Sequence, residues 1–135
     1  MTCLDTNVVI AFLKGQPASL VRRFEDTVAN DMCMLPAITL FELHYGVAKS
    51  ARRRENQERL AVFLQLPLTV LPFDTEDAEE AGDIRAQLER AGTPIGPYDL
   101  LIAAQARRRN AVLVTANTRE FTRVPRLRVE DWAAT

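Results

Sequence analysis

Three acidic residues are isolated within long apolar segments of this chain. Each is the only Asp, Glu, Lys or Arg of its segment: Asp5 in residues 1–13, Glu42 in residues 32–48 and Asp99 in residues 91–106. A carboxylate among core-forming residues destabilises the fold unless it is paired or coordinates a metal. Because no basic residue lies in the same segments, the pattern predicts that the three acids share one cation.

The expected cation is Mg²⁺, for which Mn²⁺ can substitute. Oxygen ligands select hard cations, whereas Zn²⁺ favours Cys and His at ligand spacing, which this sequence lacks. His44 is the only histidine; it lies about 200° around a helix from Glu42 and is expected to be partly exposed rather than a ligand. With no histidine base, hydrolysis would depend on a metal-activated water.

Each acid also has a structural alternative. Asp5 could cap the helix that begins near Asn7, and Asp99 could complement the dipole of its own helix. Glu42 has the weakest alternative, an ion pair with Lys49 two turns further along. These alternatives explain each acid separately, but they do not explain why other charges are missing around all three.

The composition predicts one globular domain, residues 1–135. At 135 residues, with 47% hydrophobic and 26% charged residues, the chain is long enough to bury a core. No apolar run approaches the ~20 residues of a membrane span, and we expect no secretory signal at the N-terminus. Cys3 and Cys33 lie in apolar runs and are expected to be buried, reduced thiols. Together these features favour a cytoplasmic protein without membrane contact.

Fifteen of the 17 basic residues are arginine, the side chain suited to bidentate phosphate contacts. They cluster at positions 52–54, at 107–109, and at 119, 123, 126 and 128, while residues 74–83 are rich in acid. Such segregation would suit a nucleic-acid substrate. Alternatively, the arginine runs are solvated helix ends, and charge alone does not distinguish the two.

Short apolar runs alternate with helical segments. Strands are expected at residues 2–5, 32–35, 68–71 and 111–115, with a possible fifth at 127–129. Uniformly apolar strands separated by helices predict an α/β fold, namely a three-layer α/β/α domain with a central, mainly parallel sheet of four to five strands. Among the helices, a long one is expected to start with a cap at Thr75 and to reach Arg90.

Ligands bind outside the carboxyl ends of parallel strands. Asp5 ends the first strand, Glu42 lies in the helix after the second strand, and Asp99 falls in the first turn of its helix. All three acids are therefore expected to reach one crevice.

The ordered motifs of this chain resemble those of the PIN-domain ribonucleases. LDTNVVIAFL, ITLFELHYG, GPYDLLIAAQA and LVTANTREF occur in this order, and VTANTREFTRVPRLRVEDW is similar to the VapC toxins of bacterial toxin–antitoxin pairs. The similarity runs from Asp5 to Trp132. It implies a homodimer of single α/β/α PIN domains, Mg²⁺- or Mn²⁺-dependent cleavage of structured RNA such as tRNA, and a small VapB-type antitoxin whose C-terminal tail occupies the active site.

The resemblance also assigns residue roles. The metal-binding acids are Asp5, Glu42 and Asp99, and these three together with Asn117, after the fourth strand, are the expected catalytic residues. The supporting polar positions are Thr6 and Asn7 after the first acid and Thr115 after the fourth strand. Many PIN domains have Asp where this chain has Asn117, so one carboxylate is missing and a two-metal site is less well supported. Asn117 could still bind metal through its amide oxygen or position water.

Three further residues lie next to these motifs. Glu120 could replace the missing acid, although an ion pair within its own loop is the favoured interpretation. Tyr98 is expected to pack beside the site, with stacking on an RNA base as the alternative. Trp132 is expected to belong to the core or to a dimer contact.

Two other functions are alternatives to an endoribonuclease. A phosphoacceptor receiver domain also has acids at strand ends, but it needs a lysine late in the chain, and the lysines here are Lys14 and Lys49. The other is a catalytically degenerate PIN fold that binds RNA or protein without cutting it. Asn117 leaves this alternative open.

Overall fold

A computed structural model of the chain describes residues 1–133. Its strands are β1 (Thr2–Leu4), β2 (Cys33–Pro36), β3 (Leu68–Leu71), β4 (Val112–Val114) and β5 (Arg128–Glu130). Its helices are α1 (Thr6–Lys14), α2 (Ala18–Asn30), α3 (Ala37–Ala48), α4 (Arg53–Phe63), α5 (Thr75–Arg90), α6 (Pro97–Arg108) and α7 (Thr118–Phe121). Within these residues no helix is both long and apolar enough to cross a membrane. The last two residues of the expected domain, 134–135, lie outside the described part.

The strands form one parallel sheet in the order β3-β2-β1-β4-β5, which confirms the predicted α/β fold and its possible fifth strand. Alternate strand residues face different helix layers. Cys3 and Met34 pack with α5, α6 and the α7 region, while Leu4 and Leu35 pack with α1 to α4. Since both faces are covered, the central strands are apolar throughout instead of alternating with polar residues.

The turns after the strands determine where the polar side chains lie. β1 runs parallel to β2 and β4, so the three strands end at the same edge of the sheet. α1 begins immediately after β1 and ends at Gly15, whose φ of 74° is the left-handed conformation that glycine adopts without strain. Pro97 is the first residue of α6 and places Asp99 in the first helical turn.

The long helix α5 has the expected bounds, but the expected cap at Thr75 is wrong. Asp74 is the N-cap: its Oδ1 accepts a hydrogen bond from the Asp77 N–H (2.9 Å), and Asp77 Oδ2 accepts one from the Asp74 N–H (3.0 Å). This reciprocal pair is a capping box. Thr75 is already the first helical residue, whereas a capping side chain belongs to the residue before it.

The arginine run at 107–109 is paired with acids of α5. Its ion pairs are Arg107 with Glu80 (2.7 Å), Arg108 with Asp74, Glu76 and Asp77 (2.9, 2.7 and 2.7 Å), and Arg109 with Asp77 (2.8 Å). The run therefore joins the end of α6 to the start of α5. It is neither a phosphate-binding patch nor a solvated helix end, because three successive arginines meet the acidic block that the sequence places 30 residues earlier.

Cys3 and Cys33 are buried free thiols, as expected. Cys33 lies opposite Thr2 in the sheet, so Cys3, the next residue of β1, points to the other face. A disulfide between them is therefore sterically excluded. Burial raises the pKa of Cys3 to about 12 and that of Cys33 to about 11, so both thiols stay protonated at neutral pH.

Candidate active site

Asp5 is held at the carboxyl end of β1 by three hydrogen bonds. It is buried and accepts from the Thr6 N–H (2.8 Å), Asn7 Nδ2 (3.1 Å) and Thr115 Oγ1 (2.7 Å). Burial raises the pKa of Asp5 and the Glu42 charge adds to this, which together outweigh the lowering by the hydrogen bonds. Asp5 does cap α1, as its structural alternative proposed. Its Oδ2, however, accepts from the side chains of Asn7 and Thr115 and from no backbone N–H of the helix. Capping therefore explains only one of the two carboxylate oxygens.

Thr6 connects Glu42 to Asp5. The Thr6 N–H donates to Asp5, while Thr6 Oγ1 donates to Glu42 Oε1 at 2.6 Å. The alternative ion pair between Glu42 and Lys49 is wrong, because Lys49 Nζ lies over the Tyr45 ring, 4.8 Å from its centroid. Glu42 therefore belongs to the polar cluster around Asp5.

Asp99 faces the other carboxylates from the first turn of α6. The pKa of Asp99 is raised to about 6, chiefly by burial and also by the negative charges of Asp5, Glu120 and Glu42 and a hydrogen bond with Glu120. The helix-dipole alternative would favour the ionised form and lower the pKa. The pKa of Asp99 is instead raised, so burial and the neighbouring acids dominate its surroundings.

Glu120 joins these acids, and the favoured interpretation of a loop ion pair is wrong. Among the ion pairs of residues 1–133 none includes Glu120. Its Oε2 accepts from Asn117 Nδ2 at 3.1 Å, and its charge raises the pKa of Asp99. The short helix α7 puts Glu120 three residues after Asn117, one turn away. This helical spacing was the signal from which its position could have been inferred.

The supporting polar residues hold the two loops of the site together. Asn7 Oδ1 accepts from the Ala116 N–H (3.1 Å), and Thr115 Oγ1 accepts from the Asn117 N–H (2.9 Å) while donating to Asp5. The turn after β1 and the turn after β4 are thereby fixed to one another. The structure thus brings Thr6, Asn7, Thr115 and Asn117 into one network with the acids.

The donor set has the chemistry of a hard-cation site. Four carboxylates from separate segments meet, and no ion pair within residues 1–133 neutralises Asp5, Glu42, Asp99 or Glu120. As they stand, no three Asp, Glu, His or Cys side chains of the described residues are arranged to hold a metal ion. Adjacent carboxylates repel one another without a cation, which opposes a tighter arrangement. The oxygen-only donors and the raised pKa values nevertheless fit Mg²⁺ or Mn²⁺.

The remaining candidate residues lie outside this network. His44 is exposed and Trp132 is a core residue whose ring stands perpendicular to that of Phe24, 6.1 Å between centroids. Tyr98 is 49% exposed and contacts Phe41, with 5.4 Å between ring centroids. Tyr98, next in sequence to Asp99, thus packs on Phe41, and half of its surface is free.

A mainly apolar groove adjoins the acids on the α1, α3 and α4 side. Its lining includes Ile10, Leu13, Val47, Leu60 and Glu42. Glu42 is thus shared between the polar network and the groove.

Comparison with known proteins identifies the family of this chain. Residues 2–127 match the family described as PIN domain. The chain is 45% identical over 129 residues to the tRNA(fMet)-specific endonuclease VapC of Salmonella typhimurium, with 96% of each chain covered. It is 39% identical over 129 residues to Ribonuclease VapC2 of Rickettsia felis, again with 96% of each covered.

Comparison of the fold with solved structures gives the same family. The crystal structure of VapBC2 from Rickettsia felis bound to a DNA fragment from its promoter superposes with a TM-score of 0.91 at 37% identity, covering 97% of this chain and 98% of the other. The family match covers most of the chain, and the relatives are well above 30% identical. The chain therefore belongs to the PIN-domain family and, within it, to the VapC ribonucleases.

Proposed function

We propose that this chain is a metal-dependent endoribonuclease toxin. The observation that supports this most strongly is the meeting of Asp5, Glu42, Asp99 and Glu120 at one edge of the sheet without a basic partner among the described residues. Asp5, Glu42 and Asp99 would hold Mg²⁺, with Mn²⁺ able to substitute, and Glu120 would supply the fourth carboxylate. Asn117 orients Glu120 through its hydrogen bond. Glu120 would thereby replace the carboxylate that many PIN domains have at the position of Asn117.

The chemistry would be hydrolysis of an RNA phosphodiester. When bound, Mg²⁺ would activate the attacking water and polarise the phosphoryl oxygen. The water oxygen bonds to phosphorus, the bond to the 3′ oxygen breaks, and the proton released goes to that oxygen, leaving a 3′-hydroxyl and a 5′-phosphate. Thr115 and Thr6 fix the orientation of Asp5 and Glu42, so these carboxylates need little reorganisation during the reaction.

Structured RNA is the proposed substrate class, and tRNA is its first candidate. The support is the name of the Salmonella typhimurium relative, a tRNA(fMet)-specific endonuclease, at 45% identity over nearly the whole chain. Sequencing the 5′ ends of the cleaved RNA would identify the position at which this chain cuts. Cleavage of an anticodon loop would agree with the proposal, and exclusive cutting of unstructured RNA would contradict it.

We further propose a small VapB-type antitoxin as the regulatory partner. The support is that structural relatives were solved as VapBC complexes. The apolar groove that includes Ile10, Leu60 and Glu42 could receive an antitoxin segment and lead it to the acids. An Ile10→Arg variant, at a 40% exposed position of this groove, should then lose antitoxin affinity while it retains cleavage.

A homodimer is the proposed assembly. Phe41, Tyr45 and Tyr98 are 47%, 56% and 49% exposed, and such a group of large apolar side chains favours burial in an interface. Light scattering of wild type and of Phe41→Asp tests this. The proposal expects a dimer that the substitution dissociates, and a wild-type monomer at all concentrations would contradict it.

The catalytic proposal is tested by substituting the acids. Asp5→Asn and Asp99→Ala should each abolish RNA cleavage with the fold intact, and Glu79→Gln, an exposed acid on α5, is the matched control. If the acid variants cleave RNA at a near-normal rate, the proposal is wrong. If wild type binds RNA but cuts nothing with Mg²⁺ or Mn²⁺, the chain is a degenerate PIN module, the alternative that Asn117 left open.

A further inference from the structure

We propose that the arginines of the segment 117–129 form an RNA-backbone binding strip that begins at the carboxylate site. The strip comprises Arg119, Arg123, Arg126 and Arg128. This inference rests on the proposed ribonuclease function, because it assigns the surface that would hold the substrate's phosphates. The inference also gives these arginines a different role from the run at 107–109, although the sequence alone does not distinguish the two groups.

The four arginines differ from the 107–109 run in their partners. The run at 107–109 is neutralised by acids of α5, whereas none of the ion pairs among residues 1–133 involves the four arginines of the strip. Within 117–129 the only acid is Glu120, which faces Asp99 instead. The strip therefore keeps its positive charge on the folded surface.

Two of the four guanidinium groups are fixed by neutral acceptors. Arg123 Nη1 donates to the Pro94 carbonyl oxygen at 2.9 Å, and Arg128 Nη2 donates to the Asn110 carbonyl oxygen. A carbonyl orients a guanidinium without cancelling its charge. Because arginine has five N–H donors, each of these side chains retains donors for a phosphate.

The position of the strip connects it to the candidate active site. It begins next to Asn117 and Glu120, and Arg123 contacts the loop that leads into α6 and Asp99. It ends at Arg128, which lies opposite Val112, the first residue of β4. The strip thus extends from the carboxyl ends of the strands toward their amino ends.

An RNA polyanion needs such a surface here. The site presents four carboxylates, and the chain as a whole has a net charge of −1, so long-range attraction must come from a local positive region. A protein partner is less well matched, because the cores of protein interfaces are apolar. No large hydrophobic side chain of this segment is exposed: Phe121 and Val124 are buried.

The experiment measures RNA binding over a series of KCl concentrations. The probe is labelled tRNA, and the protein carries Asp99→Asn so that it binds without cutting. Replacing all four strip arginines with Gln should weaken binding at least about tenfold at low salt and make the slope of log K against log[salt] shallower by about 2–3, at about 0.7 per phosphate contact on single-stranded segments. The double variant Arg119→Gln/Arg126→Gln should show about half of the change in slope.

The controls separate position from net charge. A quadruple variant of Arg22, Arg53, Arg54 and Arg90 to Gln removes the same charge elsewhere, and its slope should change by less than about 0.7. The double variant removes no described side-chain hydrogen bond, so it remains informative if the quadruple variant misfolds. Thermal unfolding identifies any misfolded variant.

Several results would overturn the inference. An unchanged slope in the double variant, or equal losses in the strip and control quadruple variants, would show that these arginines do not contact RNA in particular. Normal RNA binding with loss of antitoxin binding would make the strip a protein surface. In these cases wild type still cleaves RNA, and the proposed function stands; only a wild type that neither binds nor cuts RNA removes both.

Discussion

Asp99 is the acid whose protonation is most clearly changed by its surroundings. Burial and the charges of Asp5, Glu120 and Glu42 raise the pKa of Asp99 from 3.8 to about 6. The folded chain therefore binds this proton more tightly than the unfolded chain. As the pH rises from about 4 to about 6, the unfolded state loses the proton first, and folding stability falls; above pH 6 the loss is complete.

The first prediction follows from the loss of folding stability when Asp99 is ionised. In EDTA at pH 7.5, Asp99→Asn should raise the free energy of unfolding by on the order of 1–2 kcal/mol, a value reduced to allow for the partial exposure of Asp99. This corresponds to an increase of about 3–6 °C in Tm. At pH 4 the two proteins should unfold at nearly the same temperature. A lower Tm for Asp99→Asn at pH 7.5 would instead mean that Asp99 chiefly stabilises the start of α6.

The second prediction concerns the hydroxyl that holds Glu42. Thr6→Val removes the hydrogen bond to Glu42 Oε1 and leaves the backbone N–H that Asp5 caps. We expect kcat/KM for RNA cleavage to fall about 10–100-fold, as for other residues that orient a metal ligand. Thr6→Ser keeps the hydroxyl and should retain most activity. Equal activity of the Val and Ser variants would show that this contact is not used in catalysis.

The third prediction tests Glu120 as the fourth carboxylate. Glu120→Gln retains the shape of the side chain but removes the charge that faces Asp99. Cleavage should fall about 10–100-fold, and the Mg²⁺ concentration for half-maximal activity should rise. Arg119→Gln, the neighbouring substitution, should leave the Mg²⁺ requirement unchanged because the Arg119 side chain is not among the groups that shift the pKa of Asp99. An unchanged Mg²⁺ requirement in Glu120→Gln would limit Glu120 to holding Asn117.

At the scale of elements, α5 and α6 are joined through Asp77. This residue is fully buried, caps α5, and pairs with Arg108 and Arg109. Burial raises the pKa of Asp77, but the hydrogen bonds from Arg109, Arg108 and the Asp74 N–H outweigh it, so the pKa falls to about 2. Asp77 therefore stabilises the fold above pH 4, and this contribution is lost as the pH falls from about 4 toward 2.

The fourth prediction is the cost of breaking this junction. Asp77→Asn should lower the free energy of unfolding by about 3 kcal/mol at pH 7, since it leaves two partly buried guanidinium groups without their shared partner. In urea titrations the difference from wild type should shrink at pH 2. Asp83→Asn, an exposed position on the same helix, is the control and should change stability by less than about 0.5 kcal/mol. A similar effect of both substitutions would contradict the proposed role of Asp77.

The elements also show where sequence reasoning succeeded. The strands were predictable because each is a short, wholly apolar run between helices, and Gly15 and Pro97 fix helix ends by their own backbone preferences. The cap at Asp74 was missed because Asp74 and Thr75 are both good capping residues. Only the geometry distinguishes which of the two begins the helix.

At the scale of the whole molecule, the convergence of Asp5, Glu42 and Asp99 was predictable from topology. Parallel strands end at one edge, so acids placed after different strands meet there. The partners of charged side chains were less predictable. Whether Arg108 meets an acid or solvent depends on how α5 packs against α6, and a charge count does not contain that information.

The central claim is that the carboxylates act through a divalent cation. The most direct measurement is tRNA cleavage by protein stripped with EDTA, dialysed, and titrated with Mg²⁺, Mn²⁺ or Ca²⁺, alongside Asp5→Asn. We predict no cleavage without metal, restoration by Mg²⁺ or Mn²⁺ in wild type, and no restoration in Asp5→Asn. Full cleavage by the stripped wild-type protein, or equal restoration in Asp5→Asn, would contradict the account.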